Sequence, residues 1–149
     1  MIAGGCSCGQ LRYTLALDDP PPVYLCHCSL CQRASGAAFA EQAFVTERLL
    51  SVTGALTEVA LPRANGSTST HYFCARCLTR IYNRNNARPG FVVVRAGTLD
   101  RADELVPRAH MWTSRKQPWL VLDPAVPAWP GTPPPEELLA ALFGNRAGT

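Results

Sequence analysis

Seven cysteines in a chain of 149 residues fall into three close groups: Cys6 with Cys8, then Cys26, Cys28 and Cys31 in the run CHCSLC, then Cys74 with Cys77. An odd number of thiols cannot all pair internally, so a disulfide framework does not account for them. Thiolate is a preferred zinc ligand, and spacings of one or two residues let a single turn present two sulfurs to one ion. The CxC pair at Cys6 and Cys8 and the CxxC pair at Cys74 and Cys77 together make a four-thiolate set of the closed, structural kind, tying the N-terminus to mid-chain. Cys26, Cys28 and Cys31 remain as a set of three.

In an extended CxC the side chains at 26 and 28 point one way and His27 the other, and the two-residue spacer lets Cys31 curl back to the same ion. His27 is therefore not expected among the ligands. Three protein ligands with a fourth position open is the general form of catalytic zinc. Three thiolates make zinc a poor activator of water, while its softness suits another sulfur, so the expected fourth ligand is a substrate thiol held as thiolate. On the residues alone a second closure stands beside this one: an imidazole from His71 or His110 that completes a structural site. A redox role for Cys28 and Cys31 as a CxxC pair calls for a motif that opens a helix after a strand in a βαβ setting, and the flanking sequence lacks that pattern.

These ligands have to be held by short strands. The segment LRYTLAL alternates Leu11, Tyr13, Leu15 and Leu17 with Arg12, Thr14 and Ala16, the period of a half-buried strand, and DDPPP ends it. Short apolar or β-branched runs recur at 23–25, 37–45, 49–54, 56–61, 68–73, 80–83, 91–97 and 110–113, punctuated by Gly, Pro, Asn and Asp. The fold class is thus mainly β. Asn65-Gly66-Ser67 reads as a hairpin turn rather than a glycosylation acceptor. One helix is expected, at the C-terminus: Pro135 in the first turn, Glu136 and Glu137 at the positive end, an apolar stripe of Leu138, Leu139, Leu142 and Phe143 docking onto the sheet, and Gly144 as the stop. The proline-rich stretch before it is too short to separate two domains. The reading is a single domain over 1–149, with a proline-rich strap and helix at about 123–144.

The formal net charge is +3 and Lys116 is the one lysine, with no basic run longer than Arg115-Lys116. That is a weak electrostatic footprint for nucleic acid. The start MIAGGCSCGQ has neither a basic n-region nor an apolar run of signal-peptide length, and no segment approaches the roughly 18 apolar residues of a membrane helix. A cytoplasmic location without membrane contact is expected.

The blocks GGCSCGQLRY (4–13), CHCSLCQRASGAAFA (26–40), THYFCARC (70–77), VRAGTLD (94–100) and HMWTSRKQPW (110–119) resemble the glutathione-dependent formaldehyde-activating enzyme family, whose relatives include the domain of centromere protein V. The resemblance implies a tent-like, mostly β fold with two Zn²⁺ per chain, one structural at Cys6, Cys8, Cys74 and Cys77 and one facing the pocket at Cys26, Cys28 and Cys31. It also implies carbon–sulfur lyase or synthase chemistry, in which glutathione and formaldehyde interconvert with S-hydroxymethylglutathione. Beside those cysteines, Arg33 is a candidate to bind a glutathione carboxylate or steady an alkoxide, and His110 a candidate to carry the proton. Trp112 and Trp119 read as packing residues. The alternative function is a non-enzymatic, zinc-stabilised module that binds a protein or nucleic-acid partner. One position departs from the family pattern: Leu78 stands where a glycine usually follows the second knuckle cysteine. A left-handed backbone there would cost on the order of 1 kcal/mol.

Overall fold

The alternation in LRYTLAL is realised as a strand with its expected face covered: Leu11, Tyr13 and Leu15 are at most 2% exposed. The structure is a computed structural model that describes residues 1–144, so residues 145–149 of the expected domain lie outside the described residues. In chain order the elements are β1 (Ile2–Gly5), β2 (Arg12–Leu15), β3 (Val23–Cys26), α1 (Ser29–Ser35), β4 (Ala40–Thr46), β5 (Leu50–Thr53), β6 (Leu56–Pro62), β7 (Thr68–Cys74), β8 (Arg80–Asn85), β9 (Phe91–Arg95), β10 (Pro107–Met111) and α2 (Pro135–Phe143). The fold is mainly β. The chain divides into two compact units, one of Met1–Pro21 with Ala43–Leu105 and one of Pro22–Gln42 with Val106 onward.

In the first unit β1, β2 and β5 form an antiparallel sheet, with Gly4 opposite Tyr13 and Tyr13 opposite Val52. The glycine-rich β1 is not anticipated from its composition. Its Gly4 makes room for Tyr13: a Cβ there would lie 2.4 Å from the Tyr13 ring and 2.6 Å from the Thr98 carbonyl oxygen. A second antiparallel run, β6-β7-β8-β9, carries the buried Ile81, Val92 and Val94. Asn65-Gly66-Ser67 makes the expected turn between β6 and β7, with the Arg63 N–H donating to the Ser67 carbonyl at 2.8 Å.

In the second unit β3 is buried at every position and pairs in parallel with β10, His110 opposite Leu25 and Met111 opposite Cys26. The strap lies along β10: the His110 N–H donates to the Pro127 carbonyl and the Trp129 N–H to the His110 carbonyl, both at 2.9 Å. It leads to α2, where Leu142 is fully buried but Leu139 and Phe143 are about two-fifths exposed, so half of the expected stripe is covered. Trp119 corrects the packing expectation. It is 67% exposed, and its indole N–H donates to the neighbouring Gln117 side chain at 2.6 Å.

Helix α1 is a second correction, because a single helix at the C-terminus is expected from the sequence. Ser29–Ser35 has few β-branched residues to oppose helix formation, the Cys28 sulfur accepts the Cys31 N–H at 3.3 Å as N-cap, and Gly36 ends the helix at φ +66°. Seven residues are too few for an amphipathic period to register. The order strand, CxxC, helix is thus present at β3 and α1, contrary to the sequence reading.

Candidate metal centres

The β1–β2 turn and the β7–β8 turn bring Cys6, Cys8, Cys74 and Cys77 together, with all four sulfurs within 4.8 Å of one another. Cys6 and Cys8 sulfurs are 3.5 Å apart and Cys8 and Cys74 sulfurs 3.9 Å apart. Zinc–sulfur bonds of about 2.3 Å in a tetrahedron put sulfurs about 3.8 Å apart, close to these two separations, so this donor set suits a zinc ion. Donors already point at the group. The Leu11 N–H reaches the Cys6 sulfur at 3.2 Å, and hydrogen bonds from Ser7 and then Thr79 hold the Cys77 thiol down at about 4.

Thr79 also closes the knuckle. The Cys74 N–H donates to the Thr79 carbonyl at 2.9 Å and the Leu78 N–H to the Cys74 carbonyl at 3.0 Å. Between them Leu78 takes φ +58°, the left-handed conformation considered for this position, with its side chain 64% exposed.

The second group is Cys26 at the end of β3, Cys28 as the cap of α1 and Cys31 in its first turn, again with all sulfurs within 4.8 Å. Among the described residues no histidine or carboxylate joins it. His71 lies on β7 in the other unit, where its Nε2 meets Arg63 and Ser69 at 3.1 and 3.2 Å. His110 is buried, and its Nδ1 is 3.1 Å from Nε2 of His27, itself fully buried with Nδ1 unpartnered. His27 thus turns away from the sulfurs, as the extended CxC predicts.

The three thiols cannot all ionise alone. Hydrogen bonds from Cys26 and Cys31, joined by the N–H groups of Cys31 and Leu30, pull Cys28 far down to about 2, while Cys28 and Cys31, together with burial, push Cys26 far up. A divalent cation removes that conflict. The fit to zinc rests on this donor set: three soft sulfurs converging on one point, one of them fixed by a helix cap. A third sulfur at that point separates the arrangement from a two-cysteine redox pair.

Gln42 was not singled out in the sequence. It is 7% exposed, on β4, and its Nε2 donates to the Cys31 sulfur at 3.9 Å. An amide eleven residues after a cysteine carries no motif, so only the fold could reveal it. Gln32 buttresses the other side: its Nε2 donates to the His27 and Arg115 carbonyls at 2.7 and 2.8 Å, fixing the pitch of α1. Arg33, next in that helix, is exposed, and its guanidinium makes no hydrogen bond or ion pair among the described residues.

A mainly β chain with one four-thiol and one three-thiol cluster, each able to hold zinc, defines the class. The chain belongs to the glutathione-dependent formaldehyde-activating enzyme family, whose model matches residues 1–115. It is 27% identical over 128 residues to a Halomonas elongata protein whose name gives it, provisionally, as a glutathione-dependent formaldehyde-activating enzyme, an overlap of 83% of this chain and 82% of that protein. A crystal structure of a Rhodobacter sphaeroides protein shares the fold with a TM-score of 0.54 at 22% identity, covering 85% of this chain and 98% of that one. Among the described residues no helix is long and apolar enough to cross a membrane.

Proposed function

We propose that the chain joins glutathione to formaldehyde and separates them again, a carbon–sulfur lyase and synthase reaction. In the joining direction the thiol sulfur bonds to the aldehyde carbon, the carbonyl π pair moves to oxygen, and the thiol proton ends on that oxygen as S-hydroxymethylglutathione. The observation that carries the reading is the inequality of the two clusters, four sulfurs in one and three in the other. Family membership and the relative's name support the substrates.

Zinc held by Cys26, Cys28 and Cys31 would supply a soft cation with a ligand position left for the substrate sulfur, keeping it a thiolate near neutral pH. The chain's own residues do the rest. Cys28, fixed as the α1 cap, sets the direction of the cluster, and the Gln42 amide draws charge from the Cys31 sulfur. Arg33 offers an exposed guanidinium to a glutathione carboxylate. His110, kept neutral because burial depresses its pKa, is the proposed proton carrier, with its Nδ1 side held by His27. Cys6, Cys8, Cys74 and Cys77 would hold the second, structural zinc.

The test is zinc content and X-ray absorption on reduced protein with and without glutathione, followed by turnover of formaldehyde. Two zincs per chain, with mean sulfur coordination rising from about 3.5 toward 4, are expected. One zinc per chain, or no change with glutathione, overturns the reading in favour of a zinc-stabilised binding module.

A further inference from the structure

Strands β7 and β8 and the turn after β8 line a cavity of about 420 Å³, partly open to solvent, that the proposed reaction does not use. None of the seven cysteines lines it. Small-molecule sites run from about 300 to 1,000 Å³, so there is room for a small ring compound.

One wall is fixed. Thr70 stands opposite Arg84 and Tyr72 opposite Tyr82, so these four side chains share a face. The two tyrosine rings stack with centroids 4.5 Å apart and planes 10° from parallel. The Arg84 guanidinium lies 5.1 and 5.7 Å from their centres, donates from Nη1 to the Tyr72 hydroxyl at 3.1 Å and forms an ion pair with Glu47. Its charge is therefore matched and its position held, leaving a wall rich in aromatic carbon.

The turn at 86–90 is held as firmly, through its backbone. Asn85 accepts the Ala87 N–H on Oδ1 and the Arg88 N–H on its carbonyl, and Gly90 accepts the Glu47 N–H, each at 2.9 Å. Asn86 Oδ1 accepts the Thr68 N–H at 2.9 Å, which fixes the amide and leaves Nδ2 as a donor with no protein acceptor among the described residues. Arg88, exposed on this turn, lies 5.9 Å from the centre of the Phe44 ring, and its guanidinium makes no hydrogen bond or ion pair among the described residues.

The charged residues of the lining are Glu47, Arg84 and Arg88. The first two cancel, so a single cation is left over. A guanidinium fork matches a carboxylate, an aromatic wall suits a flat apolar body, and a turn already fixed by hydrogen bonds costs little to order on binding. We propose that this cavity is a binding site for a small aromatic monocarboxylate, its carboxylate received by Arg88 and Asn86 Nδ2 and its ring lying against the Tyr72 wall. The site does not depend on either thiol cluster holding a metal.

Amide chemical-shift titration of the full, zinc-loaded chain with benzoate, then with acetate, at ionic strength held constant with sodium chloride, tests this. Saturable benzoate shifts are expected at the amides of 68–72 and 84–91. Binding should weaken about tenfold in Arg88→Gln and stay unchanged in Arg101→Gln, whose guanidinium pairs with Glu104 outside the cavity. Acetate, with the charge but no ring, should bind at least about tenfold more weakly than benzoate. Asn86→Asp keeps the acceptor for Thr68 and sets a like charge beside the carboxylate, so it carries the same expectation as Arg88→Gln should that variant disturb the turn. Absence of saturable shifts at those amides, acetate binding as tightly as benzoate, or equal affinities in Arg88→Gln and Arg101→Gln overturns the proposal.

Discussion

The Cys28 sulfur accepts the backbone N–H of Cys31 at 3.3 Å, so one atom both caps helix α1 and belongs to the three-thiol cluster. Binding and local folding are therefore coupled through it. The two roles separate by substitution. Cys28→Ser keeps a capping oxygen and loses the thiolate, whereas Cys28→Ala loses both. Both variants are expected to bind one zinc fewer than the parent, and Cys28→Ala to be less stable than Cys28→Ser by about 1 kcal/mol, the usual worth of an N-cap. Urea midpoints measure the difference, and equal midpoints would show that the cap contributes nothing.

Leu78 holds a left-handed backbone with most of its side chain in solvent. Replacing it with glycine removes a conformational cost of about 1–2 kcal/mol and gives back part of it as unfolded-chain entropy. Leu78→Gly is expected to raise the unfolding midpoint modestly, by the equivalent of about 0.5 kcal/mol. A lowered midpoint would mean that the leucine makes packing contacts worth more than its strain.

Loss of a ligand should have opposite signatures at the two clusters. Cys31→Ser is expected to abolish glutathione-dependent change in X-ray absorption while leaving the unfolding midpoint near that of the parent. Cys74→Ser, at a buried position joining two distant turns, is expected to lower the midpoint by several degrees. Thermal scans beside zinc analysis decide this, and a Cys31→Ser variant as unstable as Cys74→Ser would contradict the division of labour.

Tyr13 gives a pH prediction. Burial raises its pKa to about 12, against an ordinary value of 10.0, although its hydroxyl has Thr98 Oγ1 at 2.8 Å. The folded state thus holds this proton more tightly than the unfolded state. Its contribution is fully present below pH 10 and lost as pH rises toward 12, on the order of 2–3 kcal/mol in all. Stability by denaturant titration should fall across that window, with one tyrosine ionising only as the protein unfolds. A Tyr13→Phe variant should show a shallower decline, and the same slope in both would refute the assignment.

The grouping of the cysteines was legible because cysteine spacing is a local signal that survives without knowledge of the fold. The two sulfur groupings follow from CxC and CxxC, and the outward turn of His27 from strand periodicity. The left-handed backbone at Leu78 was legible too, as a departure from glycine. What was hidden has non-local causes. Strand β1 is held by pairing with β2, where the Tyr13 ring crosses Gly4, a contact between strands that MIAGG cannot advertise. Helix α1 is capped by the sulfur of Cys28, while Ser29, of the residue type that ordinarily caps, is the first residue inside the helix. Gln42 reaches Cys31 and Arg63 reaches His71 only once the chain has folded back on itself.

The four-thiol cluster has a consequence best expressed through the unfolded chain. Cys8 and Cys74 are 66 positions apart, so an ion held between them turns the intervening sequence into a ring. By analogy with a covalent cross-link, closing a ring of that size removes denatured-state freedom worth on the order of 4 kcal/mol. By the same relation the three-thiol cluster, which spans only Cys26 to Cys31, removes about half as much, and only from that short stretch. An ion there can be exchanged at little cost to the rest of the polymer, while the other is a knot in its topology whose removal sets a long stretch of chain free.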